Sequence, residues 1–196
     1  MAAEGKVKYG IKRIFFAGHD GSGKYEKPWQ NPGAKSVAIS NGSSSSSKIP
    51  ADDNPNFFVK SGASGRELEI QLTKFMRKYH TAFLGQQVDS ATGALSEGPD
   101  DISKDFACGF EMTSDCGGYR VWLLSCSSEL PTYTAATNTD SGITEDSETA
   151  RLSASAVVCK DGKHRTMVTF ETGDTGYETA FDSVPYMDKS ETGSVS

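Results

Sequence analysis

Apolar and polar residues alternate most regularly in the stretch GRELEIQLT, which spans residues 65–73. The apolar set is Leu68, Ile70 and Leu72, and the polar set between them is Glu67, Glu69 and Gln71. Because successive residues of a strand face opposite sides, this period of two predicts a half-buried antiparallel strand.

The period changes at Thr73 from two residues to that of a helix. The apolar stripe now consists of Phe75, Met76, Tyr79 and Phe83. The side chains largely opposite this stripe are Lys74, Arg77, Lys78 and Thr81. The pattern predicts an amphipathic helix over residues 73–84, with Thr73 as its N-cap and Gly85 as its stop.

The rest of the chain is typical of short strands separated by turns. Strand-like runs occupy residues 7–17, 35–40 and 57–60, and another strand is predicted near PTYTAAT. DFACGFEM and YRVWLLSC flank TSDCGG and predict a hairpin, and KDGK predicts a second hairpin between ETARLSASAVVC and HRTMVTF. Residues 176–187 are predicted to form one or two helical turns. The fold class is therefore mainly β: an antiparallel β-sandwich or barrel of about eight strands with one flanking α-helix.

Residues 41–56 differ from the rest in composition, because they contain five consecutive serines and two prolines. Such a segment has too little apolar surface to order itself, so we predict a flexible polar loop here. Otherwise the 196 residues are predicted to form a single domain.

Charge is divided unevenly along the chain, whose net charge is −6. Residues 1–80 carry 13 basic and 7 acidic side chains, a balance of +6, whereas residues 81–196 carry 7 and 19, a balance of −12. For any single charge, the default interpretation is a mixed, solvated surface. The split also suggests a polarised monomer that stacks head to tail with further copies of the chain.

The segment GHDGSGKY, residues 18–25, is close to a phosphate-binding loop. That loop requires a Ser or Thr after its Lys and must open a helix. Here Tyr25 follows Lys24, and Pro28 and Pro32 prevent a helix from following. We therefore interpret the segment as the turn of a hairpin between IKRIFFA and YEKPWQ rather than as a nucleotide site.

No other pattern predicts a catalytic, cofactor-binding or metal-binding residue. The four cysteines form no C-x-x-C pair, and the three histidines have no zinc-ligand spacing. Trp122 lies in an apolar run that favours the core, while Trp29 lies in a loop and remains open to ligand stacking. We expect no enzyme activity, no cofactor and no membrane span. The N-terminal residues lack the apolar run of a secretory signal, so a soluble protein made inside the cell is expected.

Ordered blocks covering about residues 6 to 188 resemble the major tail (tail tube) protein family of long-tailed, siphovirus-type bacteriophages. The blocks are KVKYGIKRIFFA, NPGAKSVAIS, ADDNPNFFVKSGASGRELEIQL, TKFMRKYHTAFLGQ, VVCKDGKHRTMVTF and AFDSVPYM. The five serines at residues 43–47 depart from the family, in which this stretch is more often rich in Glu and Thr, and residues 113–148 have little counterpart in it.

The resemblance implies a structural virion protein that assembles into hexameric rings, which stack into the hollow tail tube through which DNA is ejected. Its partners would be further copies of itself, the tape measure, terminator and tail tip proteins, and DNA that passes without specific binding. It would be made in the host bacterial cytoplasm and located in the phage tail. The expected contacts between subunits are Asp52, Asp53, Asn54, Phe57, Phe58 and Val59.

An alternative from a different class is a β-sandwich module that binds carbohydrate or mediates adhesion. The strand count, the Ser- and Thr-rich loops and the loop position of Trp29 favour it. A monomer in solution whose Trp fluorescence is quenched by sugars would favour this alternative.

Overall fold

The computed structural model describes residues 8–20, 24–42, 46–51, 54–61, 65–115, 117–135 and 146–189. Within these residues it has a single helix, α1 (Arg77–Phe83). The strands are β1 (Lys8–Gly18), β2 (Lys24–Tyr25), β3 (Trp29–Asn31), β4 (Ala34–Asn41), β5 (Ser46–Ala51), β6 (Asn54–Ser61), β7 (Arg66–Leu72), β8 (Gln87–Val88), β9 (Leu95–Ser96), β10 (Phe106–Ser114), β11 (Gly117–Ser128), β12 (Thr132–Thr134), β13 (Ser147–Ser155), β14 (Val157–Val158), β15 (His164–Arg165), β16 (Met167–Glu171) and β17 (Asp188–Lys189).

One nine-stranded antiparallel sheet forms the body of the protein. Its strand order is β3-β1-β10-β11-β13-β7-β4, with β12 paired to β13 and β16 paired to β11. Strand β4, at one end of this order, packs against β1 near the other end, so the sheet curves around its own inner face. The predicted class, a mainly β sandwich or barrel with one helix, is confirmed.

The inner face of this sheet encloses the larger hydrophobic core. The predicted alternation in β7 is confirmed, because Leu68, Ile70 and Leu72 are at most 1% exposed while Glu67 and Glu69 face outward. Helix α1 contributes Tyr79 and Phe83, whose rings contact those of Phe16 and Phe106. The helix thus closes the core on one side through aromatic contacts.

Helix α1 begins later than the sequence predicted. It starts at Arg77, and its N-cap is Met76, which makes no side-chain cap hydrogen bond. Met76 has an extended backbone, and side chains from distant strands bind the residues before the helix. The carboxylate of Glu148 accepts the Phe75 N–H at 2.6 Å, and the Asn31 Oδ1 accepts the Met76 N–H at 2.9 Å. These contacts from distant strands replace the predicted Thr73 cap.

The apolar stripe and the stop of the helix are otherwise close to prediction. Met76 is an exception, since it is 43% exposed and does not join the core with Phe75, Tyr79 and Phe83. Gly85 follows the C-cap with a φ of +78°, a left-handed conformation that glycine adopts without steric cost. The predicted stop is confirmed.

A second, smaller core lies on the outer face of β1, β10 and β11. Residues 174–187 cover this face with consecutive turns rather than with the helical turns that the sequence predicted. Trp122 is fully buried there and its Nε1 donates to the Ala180 carbonyl at 2.7 Å, while Phe15 stacks on Phe181 with 4.2 Å between ring centroids. The central strands are therefore buried on both faces.

The predicted hairpins are partly confirmed. Strands β10 and β11 pair as expected. Strand β1 pairs with β3, and the connection between them contains the short strand β2. The KDGK hairpin is shorter than predicted, because only the two-residue strands β14 and β15 pair across it. The flanking strands β13 and β16 each pair with β11 instead.

Candidate assembly surfaces

A two-stranded hairpin extends the sheet where β4 and β7 end. Asn41 pairs with Arg66, and beyond them the Gly42 N–H donates to the Gly65 carbonyl at 2.8 Å. Strands β5 and β6 then pair with each other, and in the described part of the chain they pair with no other strand. We call β5 and β6 the arm; its longer strand spans about 26 Å at ~3.3 Å per residue.

Four of the predicted subunit contacts, Asn54, Phe57, Phe58 and Val59, lie in strand β6 of the arm. Asp52 and Asp53 lie outside the described residues. The predicted flexible segment, residues 41–56, includes strand β5, so its described part has regular structure. That these residues contact a neighbouring subunit stays a prediction.

The outward face of β4, β7 and β13 is a second surface, which the described residues leave uncovered. We call it the polar face; it consists of Ser36, Ala38, Ser40, Glu67, Glu69, Gln71, Thr149, Arg151 and Ser153. It contains neither Lys nor an aromatic side chain, and Arg151 Nε lies 3.3 Å from Glu69 Oε2. A depression of about 500 Å³ runs across it.

The outer face of β1, β10 and β11 instead carries a buried ionic cluster. Glu111 is 4% exposed, and its carboxylate contacts Arg13 at 2.9 Å, Lys12 at 3.8 Å and Arg120 at 3.7 Å. Arg120 also donates to the Glu178 carbonyl at 3.1 Å and lies 4.0 Å from the Tyr177 ring centroid. The cluster compensates a buried charge and fixes residues 174–187 to the sheet, which is a structural role.

Lys24 does not occupy a phosphate-binding geometry. It lies in β2, where its N–H donates to the Asp20 side chain at 3.2 Å and its carbonyl accepts from the Asp20 N–H at 3.0 Å. Strand β2 is followed by β3 and by no helix. The described residues therefore support the hairpin interpretation of this segment.

Trp29 lies in strand β3 rather than in the predicted loop, and its half-buried ring packs against the larger core. Its ring stacks on Phe83 at 6.0 Å with an interplanar angle of 13°, and the Lys78 ammonium lies 5.1 Å from its centroid. Trp122 is fully buried as predicted. Of the three observations that favoured a carbohydrate-binding module from the sequence, the loop position of Trp29 is thus not supported by the structure.

The described cysteines Cys108, Cys126 and Cys159 are free and buried. Burial raises the pKa of Cys126 to about 12 and that of Cys108 well above its ordinary value, which disfavours the reactive thiolate. Among the residues that the structure describes, no group of three or more His, Cys, Asp or Glu side chains is placed to hold a metal ion. Helix α1, the one helix in the described residues, is not long and apolar enough to span a membrane.

Comparison with known proteins leaves the chain without an assigned family. No protein-family model and no curated protein matches it. Among solved structures, it is similar to a chain of the six-fold symmetrised cryo-EM structure of the anti-feeding prophage baseplate. The similarity covers 88% of this chain and 99% of that chain, with a TM-score of 0.45 and 7% sequence identity. A likeness of this degree assigns no function to the chain.

Proposed function

We propose that this protein is a structural subunit of a phage tail tube, which assembles into rings of six copies that stack into a hollow conduit for DNA. The observation that carries the proposal is the arm, a paired extension of β4 and β7 that has no strand partner among the described residues. A two-stranded hairpin by itself is only marginally stable in water, so the arm gains stability by packing against another chain.

The body of the protein also supports contacts within a ring. In the described part of the chain, β12 pairs only with β13 and β16 pairs only with β11, so each has one edge without a partner. Unpaired edges of antiparallel sheets bind further strands through backbone hydrogen bonds. Pairing of such edges between neighbouring copies would join the sheets around a ring.

The polar face fits the inner wall of such a conduit. DNA-binding surfaces need Lys and Arg to displace counterions from the phosphates, and this face has Arg151 alone, beside the carboxylate of Glu69. It also lacks the aromatic side chains on which unpaired bases stack. Small hydroxyl and acidic side chains would allow duplex DNA to move along the wall without adhering to it.

The test of this function is negative-stain electron microscopy of the purified protein at several concentrations. We expect six-fold rings at low concentration and hollow tubes at high concentration. Monomers at every concentration, also after addition of preformed tail tips, would contradict the proposal. Monomers whose Trp fluorescence changes on addition of sugars would instead favour the carbohydrate-binding alternative.

A further inference from the structure

Asn41 and Gly42 form the single Asn-Gly pair in the sequence. In such a pair the glycine nitrogen lies within reach of the side-chain carboxamide carbon, and no Cβ on the glycine restricts their approach. The pair is therefore chemically labile, in keeping with the general heat sensitivity of asparagine. Each of the other asparagines precedes either a proline, which has no N–H, or a residue with a bulkier side chain; they are Asn31, Asn54, Asn56 and Asn138.

The fold requires glycine at position 42. Beyond β4 the chain passes so close to Gly65 that a Cβ on Gly42 would lie 2.8 Å from the Gly65 carbonyl oxygen and 2.9 Å from its carbonyl carbon. These are backbone atoms, so a larger residue fits only if the two segments separate. Packing thus gives Asn41 the neighbour that protects it least from attack.

Two hydrogen bonds oppose this attack in the folded chain. The Gly42 N–H donates to the Gly65 carbonyl at 2.8 Å, so the nitrogen that would attack is engaged between the two segments. The guanidinium of Arg66 donates to Asn41 Oδ1, which directs the carboxamide toward the neighbouring strand. Asn41 and Arg66 lie opposite each other as the last residue pair between β4 and β7. Pairing of the two strands therefore restrains both reacting groups.

The same position is open to water and lies where the ladder of β4 and β7 ends. Asn41 is exposed, and the pairing of these two strands runs from Ala34 and Leu72 to Asn41 and Arg66. The end of a ladder opens at a lower free energy than the whole domain unfolds. Each opening frees the Gly42 nitrogen and the Asn41 carboxamide together.

We propose that Asn41 is a site of spontaneous deamidation, which the pairing of β4 with β7 suppresses and which local opening allows. The Gly42 nitrogen loses its proton and forms a bond to Asn41 Cγ, and the Cγ–Nδ2 bond breaks as ammonia leaves with a proton. Water then opens the resulting succinimide at either of its carbonyls and gives aspartate or isoaspartate. The reaction needs water alone, and it is independent of the function proposed above.

The two products differ in their effect on the arm. Aspartate keeps the length of the backbone and places a carboxylate opposite Arg66. Isoaspartate leads the main chain through the former side-chain carbon, which lengthens it before Gly42 and displaces the Gly42 N–H from the Gly65 carbonyl. Because Asn41 is the last residue of β4, isoaspartate separates the arm from the ladder of the sheet.

The first test compares the full-length chain under native conditions and in concentrated guanidinium chloride, both at mildly alkaline pH. Peptide mass spectrometry measures the conversion of amide to acid at Asn41, with the other asparagines as internal references. We expect the unfolded chain to react at Asn41 and the native chain to react at least about tenfold more slowly, in proportion to its open fraction. Equal rates would overturn the suppression by the fold. Conversion in denaturant no faster than at the other asparagines would overturn the site.

The second test removes the contact to the carboxamide. Arg66→Ala should raise the ratio of the native to the unfolded rate about fivefold, the effect of one hydrogen bond, and Arg66→Lys, which can still donate to Asn41, should restore most of the suppression. Arg151→Ala is the matched control, at a 73% exposed side chain whose partner is Glu69, and should leave the ratio unchanged. Thermal unfolding that matches the wild type verifies that each variant folds. An unchanged ratio in Arg66→Ala would overturn the restraint on the carboxamide.

Discussion

The indole Nε1 of Trp122 donates a hydrogen bond to the carbonyl oxygen of Ala180 at 2.7 Å, across 58 residues of sequence. Trp122 belongs to the central strand β11, and Ala180 lies in the turns of residues 174–187. Because Trp122 is fully buried, this bond satisfies a polar group that would otherwise lack a partner. It connects the C-terminal segment to the middle of the sheet.

Replacement of Trp122 by Phe should therefore destabilise the protein and release this segment. The Ala180 carbonyl would lose its donor, which we expect to cost about 1–3 kcal/mol in the free energy of unfolding. Chemical denaturation measures the loss, and hydrogen exchange at residues 177–187 should accelerate. Tyr133→Phe, at a side chain that is 79% exposed, is the control and should have no effect. Unchanged hydrogen exchange in the Trp122 variant would contradict the conclusion that this bond holds the C-terminal segment to the sheet.

Gly109 should not tolerate even a methyl group. A Cβ at this position would lie 2.8 Å from the Cδ2 and Cε2 atoms of the Trp122 ring, which is fully buried and has no room to move. We expect Gly109→Ala to lower the free energy of unfolding by about 1–3 kcal/mol through overpacking. Gly98→Ala is the matched control, because a Cβ there meets nothing within 4 Å. A stability equal to wild type for Gly109→Ala would show that the sheet adjusts.

The hairpin of β14 and β15 contains a pH-sensitive ion pair. The carboxylate of Asp161 accepts hydrogen bonds from Arg165 at 2.7 and 2.8 Å, which lowers the pKa of Asp161 to about 2. Since the folded-state pKa is below the unfolded value, the pair stabilises the fold above the ordinary carboxyl pKa, and this contribution disappears as the pH falls through about 2. Nuclear magnetic resonance titration of the carboxyl carbon measures the pKa.

Arg165→Gln should move this pKa back toward 3.8, because it removes the largest cause of the shift. Lys163→Gln removes only a minor charge interaction and should move it much less. If the pKa of Asp161 stays near 2 in the Arg165 variant, the surrounding backbone and not Arg165 causes the shift.

Excision of the arm should separate folding from assembly. Residues 43–64 are removed and Gly42 is joined to Gly65 through an Asn-Gly turn, which suits two paired strands. The body should remain folded because β4 and β7 pair before the arm begins, so circular dichroism and thermal unfolding should resemble the wild type. Electron microscopy should show no tubes. Tubes of normal length from this variant would contradict the proposed role of the arm.

Reversal of charge on the polar face should make assembled tubes retain DNA. With Glu67→Lys and Glu69→Lys, we expect duplex DNA to bind in a gel-retardation assay and to dissociate as salt increases, whereas wild-type tubes should not bind it. Asp182→Lys with Asp188→Lys changes the net charge equally at exposed positions of the C-terminal segment, away from this face. Equal retention by both variants would indicate that overall charge, and not the position of the polar face, controls binding.

The sequence predicted the parts of the fold that depend on neighbours along the chain. The alternation around Leu68, Ile70 and Leu72 places β7 over the core, and Tyr79 and Phe83 of the predicted stripe give α1 its buried side. The hairpin of β10 and β11 follows from its turn. In each case a strand or a helix has a fixed period, so residue type alone shows which face is apolar.

The sequence did not predict what covers those faces or how distant residues fix local structure. Asn31 and Glu148 determine where α1 begins, although they come from β3 and β13. Residues 174–187 bury the outer face of β11, and the same strand takes β13 and β16 as neighbours along one edge.

The sequence by itself therefore determined the strand-rich class, the main helix and the absence of a phosphate-loop pattern, since these depend on local period and turn chemistry. The tertiary structure alone decided the second core, the packing of Trp29 against the larger core and the residue at which α1 begins. These features arise from contacts between residues far apart in sequence. A hydrophobic period indicates that a face will be buried, but the partner that buries it is selected by packing of the whole chain.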